Sequence, residues 1–285
     1  GRVIVVGYAP DMTRVLSRTI PLAELHCHLG SAVSPSIMWG IAHAQGIRLP
    51  TKDYWEFRDM ITTSKRSQSF DGYLQLFHWT ELIQSSPIAI ERAVYEVVGG
   101  AYRKNNVTTV ELRFNPMKRN RGGEQDLDHI ISAAIRGLDR ARLEYPITPG
   151  LLLCLDRAFP YALNEIIVEK AIAWRDRGVV GIDIAGPESA MFRVADYRRL
   201  FQRARQHGLG ITVHTGESGP IEEVARVAGY STLPRRAPSW PQPGSPGERQ
   251  AFRSELREVV VDGRAIPADL LLLHQGVVPN VNLAM

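Results

Sequence analysis

The amino-acid sequence predicts an α/β fold with a parallel sheet, an incomplete barrel of the (β/α)8 type, on three observations. Short, uniformly apolar segments recur roughly every 30 to 40 residues, as expected for strands that helices cover on both faces. Segments with one apolar helical face lie between them, as in right-handed βαβ units. Polar residues occur where the apolar segments end, which is where barrel loops build an active site. These polar residues are Glu111, Arg113, Asp156, Asp183, His214 and Glu217.

An open, doubly wound sheet is the alternative architecture. Such a sheet usually has a glycine-rich phosphate-binding loop after its first strand. Here that position, residues 26–31, has the sequence His-Cys-His-Leu-Gly-Ser. The barrel is therefore favoured.

The predicted helices have recognisable start and stop signals. Ser34 and Pro35 are a cap and a first-turn proline, and Gly46 ends the helix that they begin. Asp126 caps another helix, whose apolar residues fall on one face. Aromatic residues within 53–60 and 70–85 predict core helices, with a substrate lid as the alternative. The predicted strands are 21–29, 107–114, 151–155, 179–185 and 209–214, and further helices are predicted at 87–104, 164–175 and 194–207.

The chain divides into three predicted parts. Residues 1–18 are expected to be an N-terminal extension, and residues 19–229 are expected to form the partial barrel. Within the extension, Met12 resembles a natural start, so residues 1–11 are expected to lie outside the fold. Residues 230–285 are rich in proline, arginine, serine and glycine, which predicts an irregular segment. Within it, only a short helix over 251–261 and a strand over 268–278 are predicted. Five strands, or six at most, fall short of the eight in a closed barrel.

The composition is typical of a globular protein and argues against several classes. Of 285 residues, 44% are hydrophobic, and the net charge of +4 arises from interspersed acids and bases, so no nucleic-acid partner is expected. No apolar run approaches the roughly 20 residues of a membrane helix, and no signal peptide is predicted. Two cysteines, Cys27 and Cys154, are too few for a disulfide framework. We therefore expect a cytoplasmic protein.

His26 and His28 are the first candidate metal ligands. Side chains alternate along a strand, so these imidazoles point to one face while Cys27 points to the other. His214 ends another apolar strand and can approach the same ion, and Glu217 follows in the next loop. A metal lowers the pKa of its bound water, and a nearby carboxyl can pass a proton to the substrate. The alternatives are two histidines on a half-buried strand and a glutamate at a helix N-terminus.

Four motifs together resemble the adenosine deaminase family of the amidohydrolase superfamily. They are ELHCHLGS at 24–31, ELRFNP at 111–116, GIDIAGPE at 181–188 and VHTGE at 213–217, and the resemblance covers roughly residues 19–229. The resemblance implies that His26, His28 and His214 bind one zinc ion. It also implies that Glu217 donates a proton to purine N1 as C6 is attacked, and that the backbone of Gly186 contacts the purine. The implied activity is hydrolytic deamination of adenosine or a related aminopurine nucleoside.

The chain departs from the family pattern in two respects. Gly30 and Ser31 stand where the family usually has an aspartate that helps to hold the ribose, so a different amine is an alternative substrate. The family motifs R-I-G-H-G and S-x-N-T-D-D are absent, and the only histidine after His214 is His274. Three interpretations are open: a fragment or shifted reading frame over 230–285, a degenerate relative that binds ligand without turnover, or a site that another group such as His274 completes. The first is favoured, and with it we expect impaired activity.

Other polar residues are expected to have structural roles. Glu111 and Arg113 alternate with apolar neighbours, which predicts a buried pair facing the barrel interior. The basic run 118–121 is expected to be a solvated loop, with contact to an anionic substituent as the alternative. Cys27 and Cys154 are expected to be buried and inert.

Overall fold

The computed structural model describes residues 21–62, 77–120, 126–188 and 192–215 with their side chains, and the backbone of 258–261 and 264–267. The predicted extension over 1–18 and the predicted strand over 268–278 lie outside these residues.

Five parallel strands form one sheet, in the order in which they occur along the chain. Helix-containing crossovers connect them, so the α/β class is confirmed and the sheet is a half-barrel. Two predicted strands agree with the structure at both ends, and the third is longer than predicted. The strands are β1 (Leu22–His28), β2 (Val107–Phe114), β3 (Thr148–Asp156), β4 (Val179–Ala185) and β5 (Gly210–Val213).

Helices fill the connections, and their ends follow the capping signals in the sequence. The Ser34 hydroxyl accepts a hydrogen bond of 3.4 Å from the N–H of Ile37, and the Asp126 carboxylate accepts one of 2.8 Å from the N–H of Asp128. The predicted helix over 164–175 begins earlier in the structure, directly after Pro160, and ends earlier. The α-helices are α1 (Leu29–Ala32), α2 (Pro35–Ala44), α3 (Tyr54–Ile61), α4 (Phe77–Ile83), α5 (Pro87–Asn105), α6 (Leu127–Glu144), α7 (Tyr161–Ala173) and α8 (Arg198–Gln206).

The outer face of the sheet supplies the hydrophobic core. Val110 and Leu112 of β2 are fully buried, and α5 and α6 pack against each other and against β2 and β3. Each such aliphatic side chain contributes about 1.5–3 kcal/mol when it leaves water. Phe57 of α3 is also fully buried, with its ring 5.3 Å from that of Trp39, so this residue is core as predicted. Trp55 of the same helix is 63% exposed, so the prediction is wrong for that residue.

Sheet curvature brings the two edge strands towards each other. In a flat sheet, four interstrand spacings of about 4.8 Å would separate β1 from β5 by roughly 19 Å. Side chains from the ends of β1 and β5 instead approach within 3 Å of each other, as His26 and His214 do. The inner face is therefore concave, and polar residues from distant strands can meet there.

A short antiparallel hairpin corrects the prediction for the C-terminal region. β6 (Glu258–Val261) pairs with β7 (Arg264–Pro267), so the helix predicted over 251–261 is wrong for its last four residues. Three consecutive valines end β6, and branching at Cβ favours strands. The dipeptide Asp262-Gly263 between the strands is a hairpin signal that the helical interpretation overlooked. Among the described helices, none combines the length and the apolar composition that a bilayer span requires.

Candidate metal centre

Three histidine side chains converge at the carboxyl edge of the sheet. His26 and His28 lie at the end of β1, and His214 directly follows β5. The Nε2 atoms of His26 and His28 are 3.1 Å apart, and each lies 2.9 Å from Nε2 of His214. The structure thus brings together the three predicted metal ligands, from the two opposite ends of the sheet.

An irregularity in β1 precedes the two histidines. β1 advances three residues, from Glu24 to Cys27, while the paired segment of β2 advances two, from Val110 to Leu112. The extra residue is a β-bulge, a feature that re-aims side chains and is common beside active sites. Within it, the Glu24 carboxylate accepts a hydrogen bond of 2.8 Å from the N–H of His26.

A buried carboxylate fixes the orientation of His214. Its Nδ1 lies 3.1 Å from Oδ1 and 3.0 Å from Oδ2 of Asp183, which is fully buried in β4. Asp183 also accepts a hydrogen bond of 2.8 Å from the Thr212 hydroxyl and pairs with the Arg113 guanidinium at 3.3 Å. Burial alone would raise the pKa of Asp183, but His214 and Arg113 hold it well below its usual value. Asp183 is therefore an anion that holds the proton of His214 on Nδ1.

The three imidazoles fit a shared metal ion. Because the N–H of His214 is at Nδ1, its Nε2 presents a lone pair to the other two rings. Burial, reinforced by His214 and Arg113, holds the pKa of His28 well below its usual value, so His28 is neutral, the form that binds metal. Zinc–nitrogen bonds of about 2.0–2.1 Å place the ligands of a tetrahedral site roughly 3.3 Å apart, close to the observed separations. Three histidines with a further position for water are a donor set of catalytic zinc.

Gly186 follows β4 at the same edge, where only glycine fits. Its φ of +101° is a conformation that residues with a side chain rarely adopt. A Cβ at this position would also lie 2.7 Å from Oδ1 of Asp156 and 3.3 Å from the backbone nitrogen of Arg157. The backbone here is therefore close-packed on one side, and the purine contact of Gly186 stays a prediction.

Glu217, the predicted proton donor, lies outside the described residues, which in this part of the chain end at Thr215. The same holds for His274 and for residues 70–76 of the aromatic segment that was considered as a lid.

The basic run after β2 differs from its prediction as a solvated loop. Arg119 is 2% exposed, and its guanidinium pairs with the Glu81 carboxylate of α4 at 3.4 Å, so the prediction is wrong for this residue. Lys118 is one-third exposed, and its Nζ lies 2.5 Å from Oδ2 of Asp156. The sequence could not show these pairings because both acidic partners lie on other elements.

Sequence reasoning also missed the network behind His214. Arg113 faces the interior as predicted, but its ion pair is with Asp183 of β4 rather than with Glu111. The available signal was Asp183, the single polar residue of the otherwise apolar β4, together with Arg113 on the interior face of β2. A buried charge requires a partner, so each of these residues indicated the other.

Both cysteines are buried, as predicted, but their surroundings differ. Burial raises the pKa of the Cys27 thiol to about 12. Burial and Asp183 raise the pKa of the Cys154 thiol well above its usual value, and its Sγ lies 3.6 Å from Oδ2 of Asp183. Both side chains are thus thiols near neutral pH and poor nucleophiles.

Comparison with known proteins identifies a family whose sequences resemble this chain. The model of the family described as "Adenosine deaminase" matches residues 21–228. The adenosine deaminase of Clostridium kluyveri is 31% identical over 216 residues, which are 76% of this chain and 61% of the relative. The chain thus spans about three-fifths of the length of this curated relative.

Two solved structures share the fold. The N6-methyl-AMP deaminase from Arabidopsis thaliana, in its apo form, has a TM-score of 0.61 and 25% identity, with 75% of this chain and 63% of the other covered. A complex of ADAL with IMP has a TM-score of 0.63 and 25% identity, with the same shares covered.

Proposed function

Because the chain belongs to the adenosine deaminase family, we propose that it binds one zinc ion through His26, His28 and His214 and takes part in the hydrolytic deamination of adenosine or a related aminopurine nucleoside. The main support is the convergence of three Nε2 atoms from opposite edges of the sheet. A buried carboxylate that holds the proton of His214 on Nδ1 adds to it, since partners of this kind orient metal-binding histidines.

Each residue has a distinct part in the proposed reaction. Zinc, when bound, supplies Lewis-acid activation of water near neutral pH. The backbone of Gly186 contacts the purine, and Glu217 donates a proton to N1 as the carbon–oxygen bond forms at C6. Loss of ammonia from C6 then leaves inosine. Asp183 keeps the imidazole of His214 in the tautomer that presents Nε2.

We also propose that turnover by this chain is impaired. The sequence over 216–285 contains neither R-I-G-H-G nor S-x-N-T-D-D, the motifs that complete the site in the family. The alternative from another class is a protein that binds metal or ligand without turnover. It predicts a full complement of zinc and no product at all.

Zinc content and deamination of adenosine test the proposal on the same preparations. We expect one zinc per chain, none in His214→Ala, and a slow conversion of adenosine to inosine that Glu217→Gln abolishes while zinc stays bound. His207→Ala is the matched control, because this exposed histidine directly follows α8 and the described hydrogen bond of its imidazole is to the carbonyl of Arg203. Unchanged zinc content in His214→Ala would contradict the proposed site.

A purine nucleoside monophosphate is the second candidate substrate. Gly30 stands where the family usually has an aspartate, and a Cβ there would lie 3.2 Å from Nη2 of Arg119. The guanidinium of Arg119 beside this position also pairs with Glu81. Its charge favours a substrate whose ribose carries an anionic phosphate over one whose ribose carries a free hydroxyl. The similar structure in complex with IMP supports the same class. Faster conversion of AMP than of adenosine would favour this candidate, and the reverse order would reject it.

A further inference from the structure

Arg157, which directly follows β3, has its guanidinium between the two loops of the candidate site. Its side chain is 2% exposed. Nη1 donates a hydrogen bond of 3.2 Å to the carbonyl of Gly186, and Nη2 donates to the carbonyl of His214. One guanidinium therefore joins the loop after β4 to the end of β5.

Other contacts hold the guanidinium in this position. The Glu188 carboxylate lies 3.9 Å from Nη2, and the ring of Phe192 lies 5.2 Å from Cζ. The planar head of arginine can donate to two carbonyls at once, whereas the single ammonium of lysine is a point donor on a flexible stem.

The backbone of Arg157 acts on Gly186 as well. Its N–H donates a hydrogen bond of 2.9 Å to the carbonyl of Ala185, which belongs to the peptide plane that contains the N–H of Gly186. In a trans peptide the carbonyl and the N–H point in opposite directions, so the N–H of Gly186 points away from Arg157. The guanidinium fixes the following peptide plane, which contains the carbonyl of Gly186, by donating a hydrogen bond to that carbonyl. Arg157 thus determines both peptide planes that flank Gly186.

His214 is held in the same way. Its N–H donates a hydrogen bond of 2.9 Å to the carbonyl of Ile184, its carbonyl accepts from Arg157, and its Nδ1 contacts Asp183. The backbone on both sides of this imidazole is therefore fixed. Removing the guanidinium releases the carbonyl of His214 and the carbonyl of Gly186 together.

We propose that Arg157 is a positioning residue that orients His214 towards the metal and the amide of Gly186 towards the base. This inference rests on the proposed function, which identifies the metal as zinc and the base as a purine. The orienting effect itself is a property of the chain and can be measured without them.

Arg157→Lys tests the proposal, because it keeps the charge and removes the two-carbonyl contact. We expect amide hydrogen exchange to accelerate both in 184–188 and at His214, and zinc affinity, measured by competition with a chromophoric chelator, to fall about 10- to 100-fold. Binding of inosine to the zinc-loaded protein, measured by calorimetry, is expected to weaken as well. Phe192→Leu, which removes the ring that packs against the guanidinium and against Tyr197, should change the same quantities in the same direction by less.

Arg203→Lys is the matched control. Arg203 also makes a two-pronged contact, to the Glu169 carboxylate, but it joins α8 to α7 at a distance from both loops in the sequence. We expect its exchange in 184–188 and its zinc affinity to equal those of the wild type.

The outcomes separate the inference from the proposed function. If the wild type binds zinc and Arg157→Lys changes neither exchange nor zinc affinity, the inference is wrong and the function stands. Acceleration at His214 alone would overturn the role at Gly186. If the wild type binds no zinc, the proposed function fails, and accelerated exchange in both segments would still support the orienting role of Arg157.

Discussion

The two faces of the central strands are stabilised in different ways. On the outer face of β4, Ile182 is fully buried among the helices, and on the inner face its neighbour Asp183 is equally buried. Ile182 needs only apolar neighbours, because the hydrophobic effect has no preferred direction. Asp183 needs His214, Thr212 and Arg113 at specific distances, because a buried charge is stable only with partners.

This difference shows that stability and chemistry are separable at adjacent residues. A conservative change on the outer face alters packing volume and leaves the inner network intact. A nearly isosteric change on the inner face alters charge and affects the metal ligand. Substitutions along β4 and β2 can therefore test whether the two faces are independent.

Asp183→Asn is expected to have the largest effect. It leaves the Arg113 guanidinium buried without its anion, so the free energy of unfolding should fall by about 3–5 kcal/mol in urea titrations. Zinc affinity should fall about 10- to 100-fold, because the amide of asparagine is neutral and can donate to Nδ1 as well as accept from it, so it no longer fixes the tautomer of His214. A fall in the free energy of unfolding of less than about 1 kcal/mol would show that water or local rearrangement compensates the charge of Arg113. The inner face would then depend on specific partners no more than the outer face does.

Glu111→Gln is expected to have an intermediate and pH-dependent effect. Burial raises the pKa of Glu111 to about 7, although Arg113 opposes the shift. The native state then binds a proton that the unfolded chain releases near pH 4.5, so wild-type stability falls as the pH rises from there to about 7. Glu111→Gln cannot release this proton, so its free energy of unfolding should not show this fall. The difference in free energy of unfolding between the variant and the wild type should therefore shift in favour of the variant by about 2 kcal/mol between pH 5 and pH 8. Equal pH profiles in urea titrations of both proteins would mean that Glu111 is ionised at little cost.

Ile182→Val is expected to have the smallest effect and serves as the control for Asp183→Asn. Removal of one buried methylene should lower the free energy of unfolding by about 0.5–1.5 kcal/mol. Zinc affinity should stay at the wild-type value, because Ile182 lies on the opposite face from the histidines. A fall in zinc affinity comparable with that of Asp183→Asn would show that the two faces are coupled.

Local features of the sequence were sufficient for most of the secondary structure. β2 and β4 were predicted with the correct ends, because apolar runs and flanking turn residues are local signals. The cap at Asp126 and the shared direction of His26 and His28 were predicted for the same reason. The hairpin of β6 and β7 was missed although its signals, three valines and an Asp-Gly dipeptide, are also local.

The sequence by itself determined the α/β class, the succession of strands and helices along the chain and the three histidines as candidate ligands, because these depend on periodicity and on motifs within a few residues. Only the tertiary structure decided the contacts across the concave face. Curvature brings His214 to β1, Arg113 reaches Asp183 two strands away, and the Arg157 guanidinium links two loops. Such contacts join residues far apart in the chain, so no local pattern specifies them. They form because a buried charge or carbonyl must find its partner wherever the folded sheet provides one.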